Sequence, residues 1–390
     1  MNADERRCAL ALSRMGYHNI TVLRELYNAW GSMADIVKQH AHPEQLAPNM
    51  PERLLAAFAH TDEHLKRADE EMRFAQDNNI SILTLADEAY PQRLKACFDA
   101  PLALFFKGNA NLNAKHCISI VGTRKATPYA ADCIAQLTAR LKQLCPDILI
   151  VSGLAYGVDI MAHRQAIDHA LPTVAVLAHG LDTLYPTRHR KEATLMMQDG
   201  GLLTEYFSQS KIDKRNFLQR NRIVAGMSAA TLLVESAEHG GGLVTCRLAQ
   251  SYQHDVFAFP GNINNPYSVG CNRLIRDNVA GLVTSAEDIL KALSWEEDMK
   301  ETVATNGASS NGASTMGSSV LGVTSASTAK VPNGAQGVLD VLTKENDLHI
   351  DIIATRAGLP VNKVLALLFQ LEMSGMVSSL SGGRYHKVNS

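Results

Sequence analysis

CISIVGTRKATPYAADCIAQLTARLKQLCPDILIVSG, residues 117–153, decides how the chain folds. Its ends, CISIVG and ILIVSG, are short apolar runs rich in β-branched residues, and each closes on a glycine. The stretch between them, ATPYAADCIAQLTARL, places its apolar residues at helical spacing. An apolar run without polar alternation is a strand covered on both faces, and a helix joining two such strands is a parallel crossover. The same rhythm returns in TVAVLAHG (173–180), ATLLVES (230–236) and DVFAFPG (255–261), separated by GVDIMAHRQAI, RHRKEATLMMQ and LVTCRLAQSYQ. Repeated βα units predict an α/β domain over 80–295, built on a doubly wound, mostly parallel, Rossmann-like sheet.

On the N-terminal side, residues 1–78 read as a small helical domain of the SAM or helix-hairpin-helix kind. Leu10, Leu12, Ile20, Leu23, Leu26, Ile36 and Val37 recur at helical spacing, and Gly16 and Gly31 fall where short helices end. On the C-terminal side, 301–334 is Ala, Ser, Thr, Gly and Asn almost throughout, with only Glu301 and Lys330 charged. Such a stretch buries too little apolar surface to offset its ordering entropy, so 299–334 reads as a flexible linker. Periodicity recovers over 335–390 with three helices (335–343, 350–357, 361–374) and two strands flanking a Ser-Gly-Gly turn, the pattern of a winged helix-turn-helix. Its third helix offers Lys363 alone among cations and is otherwise heavily apolar, which favours packing or protein contact over a duplex groove.

A net charge of −2 gives the whole chain no attraction to nucleic acid, so any anion site must come from local clustering. The seven cysteines include no C-x-x-C pair, which points to reduced thiols and a cytoplasmic protein rather than a disulfide framework or a zinc site. No stretch reaches 18 apolar residues, so membrane spanning is not expected.

In open α/β sheets, ligands bind beyond the carboxyl ends of the strands. Here those ends run into Gly122, Gly153, Gly180 and Gly261. Glycine there either turns the chain or lets backbone N–H groups approach an anion, and four on one rim favour an anion groove. Ser152 and Gly153 close the second strand, while Arg124 and Lys125 follow the first; an arginine so placed can fork onto a phosphate. FSQSKIDKRNFLQRNR (207–222) interleaves Lys211, Lys214, Arg215, Arg220 and Arg222 with Phe207 and Phe217, and Asn221 stands between the last two arginines. Cations that follow a backbone and rings that stack bases are what sequence-tolerant single-strand binding needs; a solvated helix face has the same composition. Gly240, Gly241 and Gly242 open a helix after a buried strand, with Thr245 supplying a hydroxyl, so this loop can hold a nucleotide or a nucleic-acid phosphate.

No G-x-x-x-x-G-K-[ST], no G-x-G-x-x-G in the first βα unit and no G-x-S-x-G occurs, which argues against a P-loop ATPase, a dinucleotide enzyme and an α/β-hydrolase. Asp159 and His163 lie four apart on a helix and read as a capping and packing pair before an acid–base pair. His60 and His64 share a face without a third ligand nearby. No cofactor or metal is implied.

YPQRL (90–94), SIVGTRKAT (119–127), VSGLAYGVDIMAH (151–163), GLDTLYP (180–186), RNRIVAGMS (220–228), LLVESAEHGGGLVT (232–245) and FAFPGNINNPYSVGCNRLI (257–275) together resemble the DprA/Smf (DNA processing protein A) family in order and spacing. The resemblance implies a non-enzymatic homodimer that protects incoming single-stranded DNA and loads the RecA recombinase onto it during natural transformation, without ATP or metal. It implies a phosphate contact for Arg124, a pocket lined by Phe217, Arg220, Asn221 and Arg222, and the glycine loop 240–242 with Thr245 beside it. LLTEYFSQSKIDKRNFLQ departs from the Ser-Glu-Phe-Pro and proline-rich stretch of relatives, which predicts a less rigid loop and leaves Lys211, Lys214 and Arg215 without a carried-over role. The fold also resembles the lysine-decarboxylase-like enzymes that cleave nucleotide N-glycosidic bonds, but their Pro-Gly-Gly-x-Gly-Thr and following Glu are absent. A third reading makes the central fold a scaffold for its end domains.

Overall fold

The computed structural model describes residues 3–17, 19–47, 50–296, 335–374, 376–380 and 383–388. The chain divides into two compact units, Met1–Thr302 and Val303–Ser390. The predicted linker, 299–334, falls wholly outside the described residues.

The first unit is built on a nine-stranded sheet in the order β1-β2-β6-β5-β4-β3-β7-β8-β9. The strands are β1 Ser81–Thr84, β2 Ala103–Gly108, β3 Cys117–Val121, β4 Leu149–Ser152, β5 Thr173–Val176, β6 Gly201–Thr204, β7 Ala230–Leu233, β8 Asp255–Ala258 and β9 Gly281–Leu282. From β6 to β9 every neighbouring pair is parallel, while β2 runs antiparallel to both β6 and β1. All five residues of β3 are buried, as a strand paired on both edges and covered on both faces requires. The chain moves outward from β3 through β4, β5 and β6, then returns to β3's other edge as β7. The strand order therefore reverses between β3 and β7, and the crevice beyond their carboxyl ends is where ligands sit in such sheets.

Helices follow the strands: α6 Gln92–Ala96, α7 Pro128–Leu144, α8 Val158–Asp168, α9 Arg190–Asp199, α10 Lys214–Met227, α11 Gly241–Ser251, α12 Val269–Arg276 and α13 Ala286–Ala292. One face of the sheet packs on α7, α8 and α13 through Ile134, Leu137, Leu141, Ala162 and Ile289. The other packs on α10 and α11 and on the N-terminal helices α1 Ala3–Met15, α2 Ile20–Trp30, α3 Met33–Lys38, α4 Glu52–Phe58 and α5 Thr61–Asp77. Leu10, Leu12, Leu23 and Phe58 share one core with Leu104, Phe105 and Val224. The boundary read near residue 79 is thus a change of secondary structure within one packed unit. Strands β1, β2, β6 and β9 are not anticipated from the sequence, because ALFFKG, GLLT and GL hold at most one β-branched residue each and SILT is buried over only its last two residues.

The second unit is a winged helix: α14 Gln336–Lys344, β10 Leu348–His349, α15 Ile350–Ala357, α16 Val361–Met373, β11 Val377–Leu380 and β12 Arg384–Lys387. The wing gains a third strand, since β10 pairs with β12 in the order β10-β12-β11. Val338, Leu342, Ile353, Val364, Leu368 and Leu371 form its core. Along α16, Val361, Leu365 and Phe369 recur every fourth residue on the outside, 44%, 50% and 63% exposed.

Candidate functional site

The crevice between β3 and β7 opens into a cavity of about 370 Å³. Its floor is two glycine turns in contact. A Cβ on Gly122 would lie 2.8 Å from the Glu235 carbonyl oxygen, and one on Gly242 would lie 3.2 Å from the Gly122 Cα. At Gly122 only hydrogen fits and at Gly242 a side chain would push the turns apart, so with glycine at both places the backbones close on each other. Thr123 donates its N–H to the Glu235 carbonyl (2.8 Å) and accepts from the Val158 N–H (3.1 Å), which fixes the turn that carries Arg124 and Lys125. The Glu235 carboxylate, buried behind the turn, accepts from the Thr127 N–H (2.9 Å) and hydroxyl (2.6 Å). Burial raises the Glu235 pKa, and the two Thr127 hydrogen bonds oppose that rise.

Helix α11 begins at Gly241 without a side-chain cap, so its first N–H groups face the cavity with the positive end of the helix dipole. The Thr245 hydroxyl lines the same wall and donates to the Gly241 carbonyl (3.2 Å). Opposite stands α10, capped by Asp213, whose carboxylate accepts from the Arg215 N–H (2.7 Å). Phe217 and Asn221 are four apart and share the face that looks into the cavity. The Arg124 guanidinium carbon lies 5.6 Å from the Phe217 ring centroid, and the exposed Tyr185 ring meets Phe217 edge-on at 5.7 Å. Exposed cations beside an aromatic face and open backbone N–H groups can hold a phosphate and an adjacent planar group.

Arg220 also lines the cavity but lies under it. Its Nη1 donates to the carbonyls of Gly153 (2.5 Å) and Val176, across the ends of β4 and β5, and its Nε to Asn221 Oδ1 (3.3 Å). Gly153 leaves the guanidinium its place, because a Cβ would fall 2.4 Å from it and displace it. Burial lowers the Arg220 pKa, and the buried Asp159 beside it pulls the other way. Asp159 in turn is raised by burial, with Arg220 opposing, and its Oδ2 accepts from the Ala155 N–H at 3.3 Å.

Of the residues singled out in the sequence, Gly122, Arg124, Lys125, Gly153, Phe217, Arg220, Asn221, Gly240, Gly241, Gly242 and Thr245 meet at this one cavity. Ser152, Lys214 and Arg222 do not line it. The Ser152 hydroxyl is buried in the sheet, donating to the Ile120 carbonyl at 2.6 Å. Lys214 is exposed in the first turn of α10. Arg222 is the clearest correction: two residues beyond Arg220 it points about 200° round the helix, away from the cavity. Its side chain is 6% exposed, with the guanidinium bound to the Glu205 carboxylate and donating to the Asp99 carbonyl at 2.6 Å.

Two of the four glycine ends are likewise structural. Asn272 occupies both the N–H (3.0 Å) and the carbonyl (2.8 Å) of Gly261, and Gly180 packs against the Phe207 carbonyl. The divergent loop before α10 is tied down rather than loose: the buried Glu71 of α5 accepts from the Ser208 N–H (2.8 Å) and hydroxyl (2.6 Å), and Asp182 accepts from the Gln209 N–H (2.9 Å). Phe207 lies under Arg67, 5.4 Å from its guanidinium carbon. His163 bonds Thr173 at 2.8 Å, and burial, with Arg220 and His189 nearby, takes its pKa down to about 3, so it is a neutral packing residue. His60 and His64 face Glu63 and Arg14 respectively, and among the described residues no three His, Cys, Asp or Glu side chains cluster as metal ligands do. Nor is any described helix long and apolar enough to cross a membrane. Sequence reading missed Ala155, Leu218 and His239, which also line the cavity. Leu218 alone left a signal, an apolar residue inside a polar run; it is 54% exposed.

A family model described as DNA recombination-mediator protein A matches residues 81–294, and the DprA winged helix domain matches 324–383. Protein Smf of Escherichia coli K12 is 32% identical over 319 residues, covering 82% of this chain and 80% of its own. The structure of DNA processing protein A from Streptococcus pneumoniae superposes with a TM-score of 0.61 at 29% identity, covering 72% of this chain and 95% of that one. The Helicobacter pylori DNA processing protein A, whose structure was reported for its single-stranded DNA binding mode, gives 0.50 at 29% identity over 56% of this chain and 96% of that one. Matched over most of its central unit and again over its winged helix, the chain belongs to the DNA recombination-mediator protein A family.

Proposed function

We propose that the chain binds single-stranded DNA in the β3–β7 cavity and performs no chemistry on it. The observation that carries this reading is the convergence of the uncapped α11 N-terminus, Arg124, Lys125 and the Phe217 ring on one open crevice. Phosphates are met by backbone N–H groups and cations, and a base by the ring. The reported binding mode of the Helicobacter pylori relative supports the same choice of ligand. In the cell the protein acts as a homodimer that shields incoming strands and delivers them to RecA during transformation.

The test is a gel shift with labelled oligo-dT in the absence of ATP and metal, with duplex as competitor. Binding is expected at low salt, weakening steeply as salt rises, because the contacts release counterions. Release of free base from a nucleoside monophosphate would overturn the reading in favour of a glycosidase.

A further inference from the structure

The cavity is at the small end of the range for ligand pockets, so a strand longer than a few nucleotides has to continue over the rim. The rim is not uniform. On one flank Arg215 lies 4.0 Å from Asp213, and behind the glycine loop Glu238 lies 3.9 Å from Arg273, so the cations there already face carboxylates. The flank beyond β4 and β5 differs. Ala155 lines the cavity, and the next residue, Tyr156, is 40% exposed. Gly157 (φ +76°) lies against the Thr123–Arg124 turn, where a Cβ would fall 2.2 Å from the Thr123 carbonyl oxygen, so the backbone that follows Tyr156 packs on the turn that carries Arg124. Its ring meets His189 edge-on at 5.1 Å, and His189 is buried with Nδ1 2.9 Å from the Leu154 carbonyl oxygen. Arg188, Arg190 and Lys191 around that histidine are all exposed. The neighbouring carboxylate, Glu192, is engaged by Arg164 at 2.8 Å, and no described ion pair takes up the three cations.

We infer that this flank is a second nucleic-acid subsite, with Tyr156 stacking a base and Arg188, Arg190 and Lys191 following the phosphates of the strand as it leaves the cavity. The inference rests on the single-stranded DNA reading and gives the bound strand its direction along the rim, past Arg124 toward α9. Rings that stack any base and cations that track the backbone are the two components such a continuation needs.

The experiment compares labelled oligo-dT of about four and about fifteen nucleotides on the full-length protein, its Arg188→Ser/Arg190→Ser/Lys191→Ser variant, Tyr156→Ala and Tyr156→Phe. All four positions are solvent-facing, and a melting curve confirms that each variant folds. The triple variant is expected to hold the short oligo within about twofold of wild type. It should bind the long one about tenfold more weakly, with a log–log salt slope shallower by about two. Tyr156→Ala should lose about tenfold on the long oligo only, and Tyr156→Phe should restore it. Equal losses at both lengths, or none on the long oligo, would overturn the second subsite. Should wild type fail to hold the short oligo while the long one still responds to the triple variant, the cavity reading falls and the rim subsite stands.

Discussion

Helices α10 and α16 are nearly equal in length, 14 and 13 residues, and the sequence reads them differently, the first as a cationic track for nucleic acid and the second as a packing or protein-contact surface. They present opposite surfaces. Helix α10 turns Phe217 and Asn221 to a crevice shared with Arg124 and an open helix N-terminus, while Arg222 goes into the core. Helix α16 turns Val361, Leu365 and Phe369 outward, with Lys363 the one cation on the helix. The number of cations on a helix therefore says little about its contacts. What matters is whether the cation's turn faces a rim where backbone donors are already free.

The contrast can be broken in several places. The largest effect is expected from Arg222→Ala, which strands the Glu205 carboxylate in the core. Loss of one partner of a buried pair costs about 3–5 kcal/mol, read as a lowered urea midpoint with oligo-dT affinity of the folded protein unchanged. If stability held and DNA binding fell instead, Arg222 would belong to the rim after all. Arg124→Glu should do the reverse: an unchanged melting temperature and affinity weaker by about a hundredfold, because a carboxylate replaces the exposed cation of the site. Phe217→Ala removes the ring alone and should cost about tenfold in a fluorescence-anisotropy titration.

A smaller effect comes from pH. His163 is folded in its neutral form, with its pKa down to about 3 from burial first and the Arg220 charge second. The unfolded chain takes up a proton at this residue below about pH 6.5, so this contribution is complete above that pH and is lost as the pH falls. Stability should drop by roughly 1 kcal/mol between pH 6.5 and 5.5, and His163→Gln should flatten that slope in denaturant titrations. The least change is expected from Lys363→Glu on α16, less than about twofold in oligo-dT affinity; a loss as large as that of Arg124→Glu would erase the distinction between the two helices.

The central βα units were legible because β3, β4, β5, β7 and β8 are buried on both faces, and burial on both faces writes an uninterrupted apolar run. The antiparallel additions β1 and β2 and the two-residue β9 leave no such signature, and β6, though as long and as buried as β4, holds Thr204 as its one β-branched residue. Glycines at strand ends pointed to the right rim yet could not distinguish Gly122, held against Gly242, from Gly261, whose polar groups Asn272 occupies. In RNR (220–222) all three residues look alike as candidates for one groove, but helical rotation sends only two of them there.

Sequence by itself determined the doubly wound sheet, the winged helix and the chemistry available at the rim, because alternation, spacing and residue type are local properties. Tertiary structure decided which of those residues share a cavity, that the N-terminal helices belong to the sheet's own core, and that the loop before α10 is anchored by Glu71. Those outcomes depend on contacts between elements far apart in the chain and on the direction each side chain leaves its helix. A one-dimensional reading of the residues carries neither.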